Sequence, residues 1–233
     1  MRGINEVIEI PIWQIYIEHP DARIVFETGM DPQWPYVRTE PVMRPPYIRQ
    51  TPEQSLTAQL GKLGLEPDDI DFVALSHLHV DHAGYLDIFA NTAAKILVQR
   101  AELAYAYDPE PFNRASYWRE DFDVPGLNWD CLEGSHTIVD GVELLATPGH
   151  SPGHQSLLVK LPRSGPWLLA ADAAYLKESL KDMVLPCCLY SPVDMVRSME
   201  RIRHIAETEK AEVIFGHDPD QYGTLKKAPE YYE

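Results

Sequence analysis

Apolar positions along this chain fall into short runs separated by polar turns, and only a few stretches switch to helical spacing. Ile8-Glu9-Ile10-Pro11-Ile12-Trp13-Gln14-Ile15-Tyr16-Ile17-Glu18 alternates β-formers with other residues. Arg23-Ile24-Val25-Phe26 follows a turn at His19-Pro20-Asp21-Ala22, so Glu6 to Glu27 reads as sheet, with His19 a capping or solvated turn residue. Further strands are predicted at Phe72-Val73-Ala74-Leu75, Lys95 to Gln99, Val142-Glu143-Leu144-Leu145-Ala146, His154 to Leu161, Leu168-Leu169-Ala170-Ala171 and Val213-Ile214-Phe215. Asp140-Gly141 reads as a hairpin turn.

Helical signals are sparser. One helix is expected from an N-cap at Thr51, with Pro52 in its first position, to Gly61 or Gly64, with Leu56, Leu60 and Leu63 on one face. A short helix is expected after Gly84 and another at Arg100 to Tyr107. A long one starts at the N-cap Ser191 with Pro192 next, its stripe Met195, Met199, Ile202 and Ala206 facing the core and Arg197, Arg201, Arg203 and His204 facing solvent. Two stretches fit neither period. Met30 to Gln50, with Trp34, Tyr36, Met43 and Tyr47 among five prolines, reads as a loop that walls a pocket, makes a dimer contact or covers core. Asp108 to Asn128, carrying Phe112, Tyr117, Trp118 and Phe122, is expected to overhang the active face or the molecular edge.

The chemistry sits where strands end. After Phe72–Leu75 comes Ser76-His77-Leu78-His79-Val80-Asp81-His82-Ala83-Gly84. In extended backbone alternate residues point the same way, so His77 and His79 can converge on one cation while the following turn swings Asp81 and His82 toward a second. His150 in Thr147-Pro148-Gly149-His150, Asp172 after Ala171, and His217 after Gly216 each follow another predicted strand. Five histidines and two carboxylates exceed what one tetrahedral ion uses, so two metal sites are expected. His154 is read as a core or supporting residue rather than a ligand.

This ordered set resembles the metallo-beta-lactamase superfamily from about Ile10 onward. The resemblance implies an α+β fold, a four-layer alpha-beta/beta-alpha sandwich of two mixed sheets with helices outside. It implies that His77, His79 and His150 hold one metal, that Asp81, His82 and His217 hold the other, and that Asp172 bridges them. Within the superfamily the chain is most similar to N-acyl homoserine lactonases, through Asp172-Ala173-Ala174-Tyr175, Phe215-Gly216-His217-Asp218 and Tyr231-Tyr232-Glu233. It differs in a shortened opening strand and in Glu27-Thr28-Gly29, where those enzymes commonly carry aspartate; Glu27 can accept the same kind of hydrogen bond. The activity implied is opening of a lactone ring, with catalytic roles for Tyr175, as a donor to the oxyanion, and for Asp81, as a proton shuttle to the leaving alkoxide. A hydroxide shared by two cations would be the nucleophile.

Bulk properties narrow the partners. The chain of 233 residues is long enough for one two-layer domain, and one hydrolase domain over 1–233 is expected. A formal charge of −16 repels polyphosphates, which disfavours nucleic acid, anionic membrane surfaces and a phosphodiesterase activity and leaves a small lactone as the expected partner. Nitrogen and oxygen donors without thiolate suit two zinc ions, with cobalt, manganese or iron also acceptable. Cys131, Cys187 and Cys188 show no disulfide or metal spacing and read as small buried apolar residues. With no signal peptide and no long apolar run, the expected location is cytoplasmic, and a homodimer stays open. The alternatives are a hydrolase of another lactone or ester, such as a pyridoxolactonase or a glyoxalase II-like thioesterase, or a metal-retaining binding protein without turnover.

Overall fold

A computed structural model describes residues 7–33 and 48–233; Met1–Glu6 and the aromatic stretch 34–47, including Trp34, Tyr36, Met43 and Tyr47, lie outside the described residues. The first sheet has the order β1 (Ile15–His19), β2 (Ala22–Phe26), β4 (Phe72–Ala74), β5 (Lys95–Gln99) and β6 (Asn128–Leu132), antiparallel at its first pair and parallel thereafter. Between β2 and β4 in the chain comes the short β3 (Gly29–Met30), bridged to Ala83 and Gly84. The second sheet is ordered β11 (Glu212–Phe215), β10 (Gly165–Ala171), β9 (Gln155–Leu161), β8 (Val142–Ala146) and β7 (His136–Val139), with only β10 and β11 parallel.

Alternation along the strands builds three apolar layers. Odd and even positions of one strand point to opposite faces, so Ile24, Phe26, Ala74 and Leu97 meet Leu144, Leu157, Val159, Leu169 and Ile214 between the sheets. Val25, Val73, Ile96 and Val98 face outward under α1 (Leu56–Lys62), α2 (Val80–Ala83), α3 (Arg100–Tyr107) and α4 (Arg119–Phe122), which contribute Leu60, Ala83, Ala106 and Phe122. On the other side Leu145, Leu158, Leu168 and Ala170 pack against Met195, Met199 and Ile202 of α5 (Pro192–Glu209). Burying each such large side chain stabilises by about 1.5–3 kcal/mol. The order helix, sheet, sheet, helix is the expected four-layer sandwich.

Four local expectations change. Val7 to Gln14 forms no strand; β1 starts only at Ile15. Pro11 has no N–H to give a ladder, and the segment bonds elsewhere: the Pro11 carbonyl accepts from His217 Nδ1, and Trp13 Nε1 donates to the Phe215 carbonyl. Thr51 caps only a 3₁₀ turn at Pro52–Gln54, and the α-helix proper begins at Leu56, where the Ser55 side chain accepts from Ala58 N. The cysteines are not buried, since Cys187 is exposed and Cys131 and Cys188 are half-buried. The excursion at Asp108 to Asn128 is partly core, for Phe122 is fully buried and Tyr117 lies against His79. Among the described residues no helix is long and apolar enough to cross a membrane.

Candidate metal centre

All seven predicted ligand residues lie at or just beyond the C-terminal ends of β4, β8, β10 and β11, and the fold draws these ends together. Ligand-type atoms of His77, His79, His150 and Asp172 fall within 4.8 Å of one another, and those of Asp81, His82 and His217 form a second group on the same measure. In the first, His150 Nε2 is 3.1 Å from His77 Nε2 and 3.0 Å from His79 Nδ1. In the second, Asp81 Oδ2 lies 3.6 Å from His82 Nε2 and 3.7 Å from His217 Nε2.

Asp172 stands between the groups. Its Oδ2 is 3.2 Å from His150 Nε2 and 3.9 Å from His77 Nε2, and its Oδ1 is 3.1 Å from His217 Nε2 and 3.2 Å from His82 Nε2. Six of the seven residues are buried and only Asp81 keeps solvent contact, so the approach to the centre is on its side.

Each imidazole is aimed by its other nitrogen, with one exception. His82 Nδ1 is 2.9 Å from Glu27 Oε2, His150 Nδ1 is 3.1 Å from the Cys188 carbonyl, His217 Nδ1 is 2.9 Å from the Pro11 carbonyl, and His77 Nδ1 is 2.8 Å from Ser76 Oγ. A carbonyl or carboxylate there requires the proton on Nδ1 and leaves the Nε2 lone pair facing the centre. His79 is the exception: its Nδ1 faces the centre and its ring edge packs on Tyr117, 4.6 Å between centroids. His82 Nε2 and Asp172 Oδ1 are buried without a hydrogen-bond partner although they approach within 3.2 Å, so they point at a common position rather than at each other. Buried lone pairs converging in this way fit a cation and are costly otherwise.

The electrostatics divide the two halves. Burial holds His77 and His79 well below the ordinary imidazole range, each helped by neighbouring imidazoles, and lowers His150 against the pull of Asp172. At His82 and His217 burial also opposes charge, but carboxylates outweigh it, Asp81, Asp172 and Glu27 at His82 and Asp172 and Asp81 at His217, so both are raised. Burial alone would raise Asp172; His217, His82 and His150 hold it well below the usual carboxylate range. Neutral imidazoles on one side and an acid-rich trio on the other are both ready for a cation, and protons compete for the second.

Tyr175 spans both halves. Its ring lies edge-on to His150 at 5.7 Å and to His217 at 5.0 Å, and its carbonyl accepts from His217 N. Burial first, then the charges of Asp172 and Asp81, raise its pKa well above the ordinary phenol value, so it stays a donor. His154 is not in either group: its Nε2 accepts from Asp172 N at 3.1 Å, while its Nδ1 meets Thr147, and burial pushes it down to about 3. It holds the backbone of the carboxylate that stands between the halves.

Glu27 and Glu102 do more than the sequence suggests. Glu27, at φ 67°, accepts from Ser76 N at 2.7 Å as well as meeting His82 Nδ1 at 2.9 Å. Glu102, on α3, passes unnoticed as an ordinary residue of a helix's first turn; the one available signal is its place four residues before Ala106, on the buried face. Two glycines let the His150 loop approach its supports: a Cβ at Gly149 (φ 140°) would lie 2.3 Å from Met195 N, and one at Gly153 2.4 Å from Glu102 N.

The two-sheet sandwich and a paired histidine–aspartate centre at its strand ends define the class, and the sequence profile of the Metallo-beta-lactamase superfamily matches residues 8–217. The chain belongs to that superfamily. Among its relatives, the N-acyl homoserine lactonase AttM of Rhizobium radiobacter is 41% identical over 243 residues, covering 99% of this chain and 90% of the relative. The N-acyl homoserine lactonase AiiA of Bacillus thuringiensis subsp. kurstaki is 36% identical over 233 residues, covering 97% and 89%. A solved N-acyl homoserine lactone hydrolase with the product N-hexanoyl-L-homoserine bound at its catalytic metal center superimposes with a TM-score of 0.86 at 35% identity, over 98% of this chain and 90% of that one.

Proposed function

We propose that residues 1–233 act as one hydrolase domain that opens the ring of N-acyl homoserine lactones. The observation that carries this reading is the pair of converging ligand groups joined by Asp172 with Tyr175 across both, in a chain whose relatives at 36–41% identity are N-acyl homoserine lactonases. His77, His79 and His150 would hold one cation, Asp81, His82 and His217 the other, and Asp172 both. Zinc suits the nitrogen and oxygen donors best, with cobalt, manganese or iron acceptable to the same set.

Bound there, the two cations make hydroxide available at neutral pH and polarise an ester carbonyl. The protein's own groups do the rest. The Tyr175 hydroxyl donates to the oxyanion as the carbonyl carbon becomes tetrahedral, an interaction stronger in the transition state than with the ground-state carbonyl. As the ring C–O bond breaks, Asp81, the one ligand group in contact with solvent, takes the proton of the added hydroxyl and passes it to the departing alkoxide, leaving the product carboxylate and its own carboxylate ionised. Burial of the remaining six residues keeps bulk water from competing for their lone pairs. A small lactone, no nucleic acid and no membrane suit a chain of charge −16, and a cytoplasmic location agrees with the lack of a spanning helix among the described residues. The test is a pH-stat assay of the metal-loaded protein on lactones of graded acyl length beside phenyl acetate and a phosphodiester. The reading expects homoserine lactones to be preferred; faster turnover of either comparison substrate overturns it.

A further inference from the structure

Glu102 is a fully buried carboxylate that touches no ligand atom, yet it joins the two segments that carry His77, His79 and His150. Its Oε1 accepts from Leu78 N at 3.0 Å, the amide between His77 and His79, and from the Tyr117 hydroxyl at 2.9 Å. Its Oε2 accepts from Ser151 Oγ at 2.5 Å and from Gly153 N at 3.1 Å, in the loop that presents His150. All of these partners are donors, which suits an ionised carboxylate and no other side chain of its length. Tyr117, held by Glu102, is also the ring that backs His79, the one imidazole with no polar partner on its outer nitrogen.

The other half has a different support. Glu27 meets His82 Nδ1 directly and Ser76 N, whereas His217 is held by the Pro11 carbonyl; among the described residues no hydrogen bond joins Glu102 to Asp81, His82 or His217. Glu27 therefore meets a ligand of one side directly, while Glu102 bonds to the segments of the other. We propose that Glu102 is the positioning residue of the His77/His79/His150 position alone, so that its loss weakens one of two metal positions and spares the other. This rests on the two-metal reading above, and on no property of the substrate.

The experiment uses Co²⁺ alone as probe. Metal-free full-length protein, wild type, Glu102→Ala, Glu102→Gln, Tyr117→Phe and Glu27→Ala, is titrated with Co²⁺ against a chelator, and paramagnetically shifted imidazole resonances report which histidines are bound. In Glu102→Ala one equivalent is expected to weaken about 10- to 100-fold, with signals of His77, His79 and His150 lost at limiting cobalt and those of His82 and His217 kept. Glu102→Gln, whose single carbonyl oxygen can still take Leu78 N–H and the Tyr117 hydroxyl but whose amide opposes Gly153 N–H, falls between. Tyr117→Phe keeps the ring and removes one donor, so it weakens the same equivalent less. Glu27→Ala weakens the other. Equal weakening of both equivalents in Glu102→Ala, or none, overturns the proposal; if that variant does not fold, an unchanged or unselective Tyr117→Phe does so. Failure of the wild type to hydrolyse lactones while binding two ions would refute the lactonase reading and leave this inference standing.

Discussion

Asp172→Asn tests the proposed centre most directly, because in that reading one carboxylate serves two cations. The side chain is buried, with Oδ1 3.1 and 3.2 Å from two imidazole nitrogens and Oδ2 3.2 and 3.9 Å from two others. Asparagine keeps the shape and loses the charge. Its single oxygen can face only one half, and its NH₂ then sets donors against the lone pairs of the other. A unit charge pair at 4 Å and an effective dielectric of 20 is worth about 4 kcal/mol. Part of that is returned, because a neutral amide costs less than a carboxylate to bury. A net loss of about 3 kcal/mol per position corresponds to about 100-fold weaker binding, and the half that faces the NH₂ should lose more. Chelator competition and elemental analysis on the purified variant, with circular dichroism to show that it is folded, measure this. Two ions retained at wild-type affinity with full lactone hydrolysis would refute the bridging role.

Further outcomes follow from the same geometry. Tyr175→Phe should lower kcat by about 10- to 100-fold with both ions retained and KM little changed, since only a transition-state donor is removed; an equal rise in KM at constant kcat would assign Tyr175 to substrate binding instead. Gly153→Ala places a methyl 2.4 Å from Glu102 N and should cost about 2 kcal/mol, a fall of about 6 °C in Tm by calorimetry. Exhaustive chelation should abolish hydrolysis, and added Zn²⁺ or Co²⁺ should restore it. Burial, with Glu110 beside it, pushes the Tyr105 hydroxyl up to about 12 from 10.0. The folded state then holds a proton that the unfolded chain releases above pH 10, so stability present below pH 10 is lost as pH rises toward 12. Alkaline denaturant melts of Tyr105→Phe should be flatter over that window than wild type; parallel curves would count against it.

Which residues the fold would bring together was legible from the chain because the cues are local. His77, His79, Asp81 and His82 are neighbours in sequence, and the apolar runs before His150, Asp172 and His217 mark strand ends without reference to any contact. The alternation that separates Val25 and Val73 from Ile24 and Ala74 likewise announces a sheet covered on both faces. What surrounds those residues was not legible. The partner that aims His217 is a carbonyl 206 residues away, in a segment whose alternation reads as strand but whose proline forgoes the ladder. Glu102 resembles any acid in a helix's first turn until Leu78, Tyr117, Ser151 and Gly153 are brought to it. Periodicity and adjacency are properties of a few consecutive residues, so sequence alone displays them. Which donor meets which acceptor across the two sheets depends on how distant strands stack, and only the packed structure decides that.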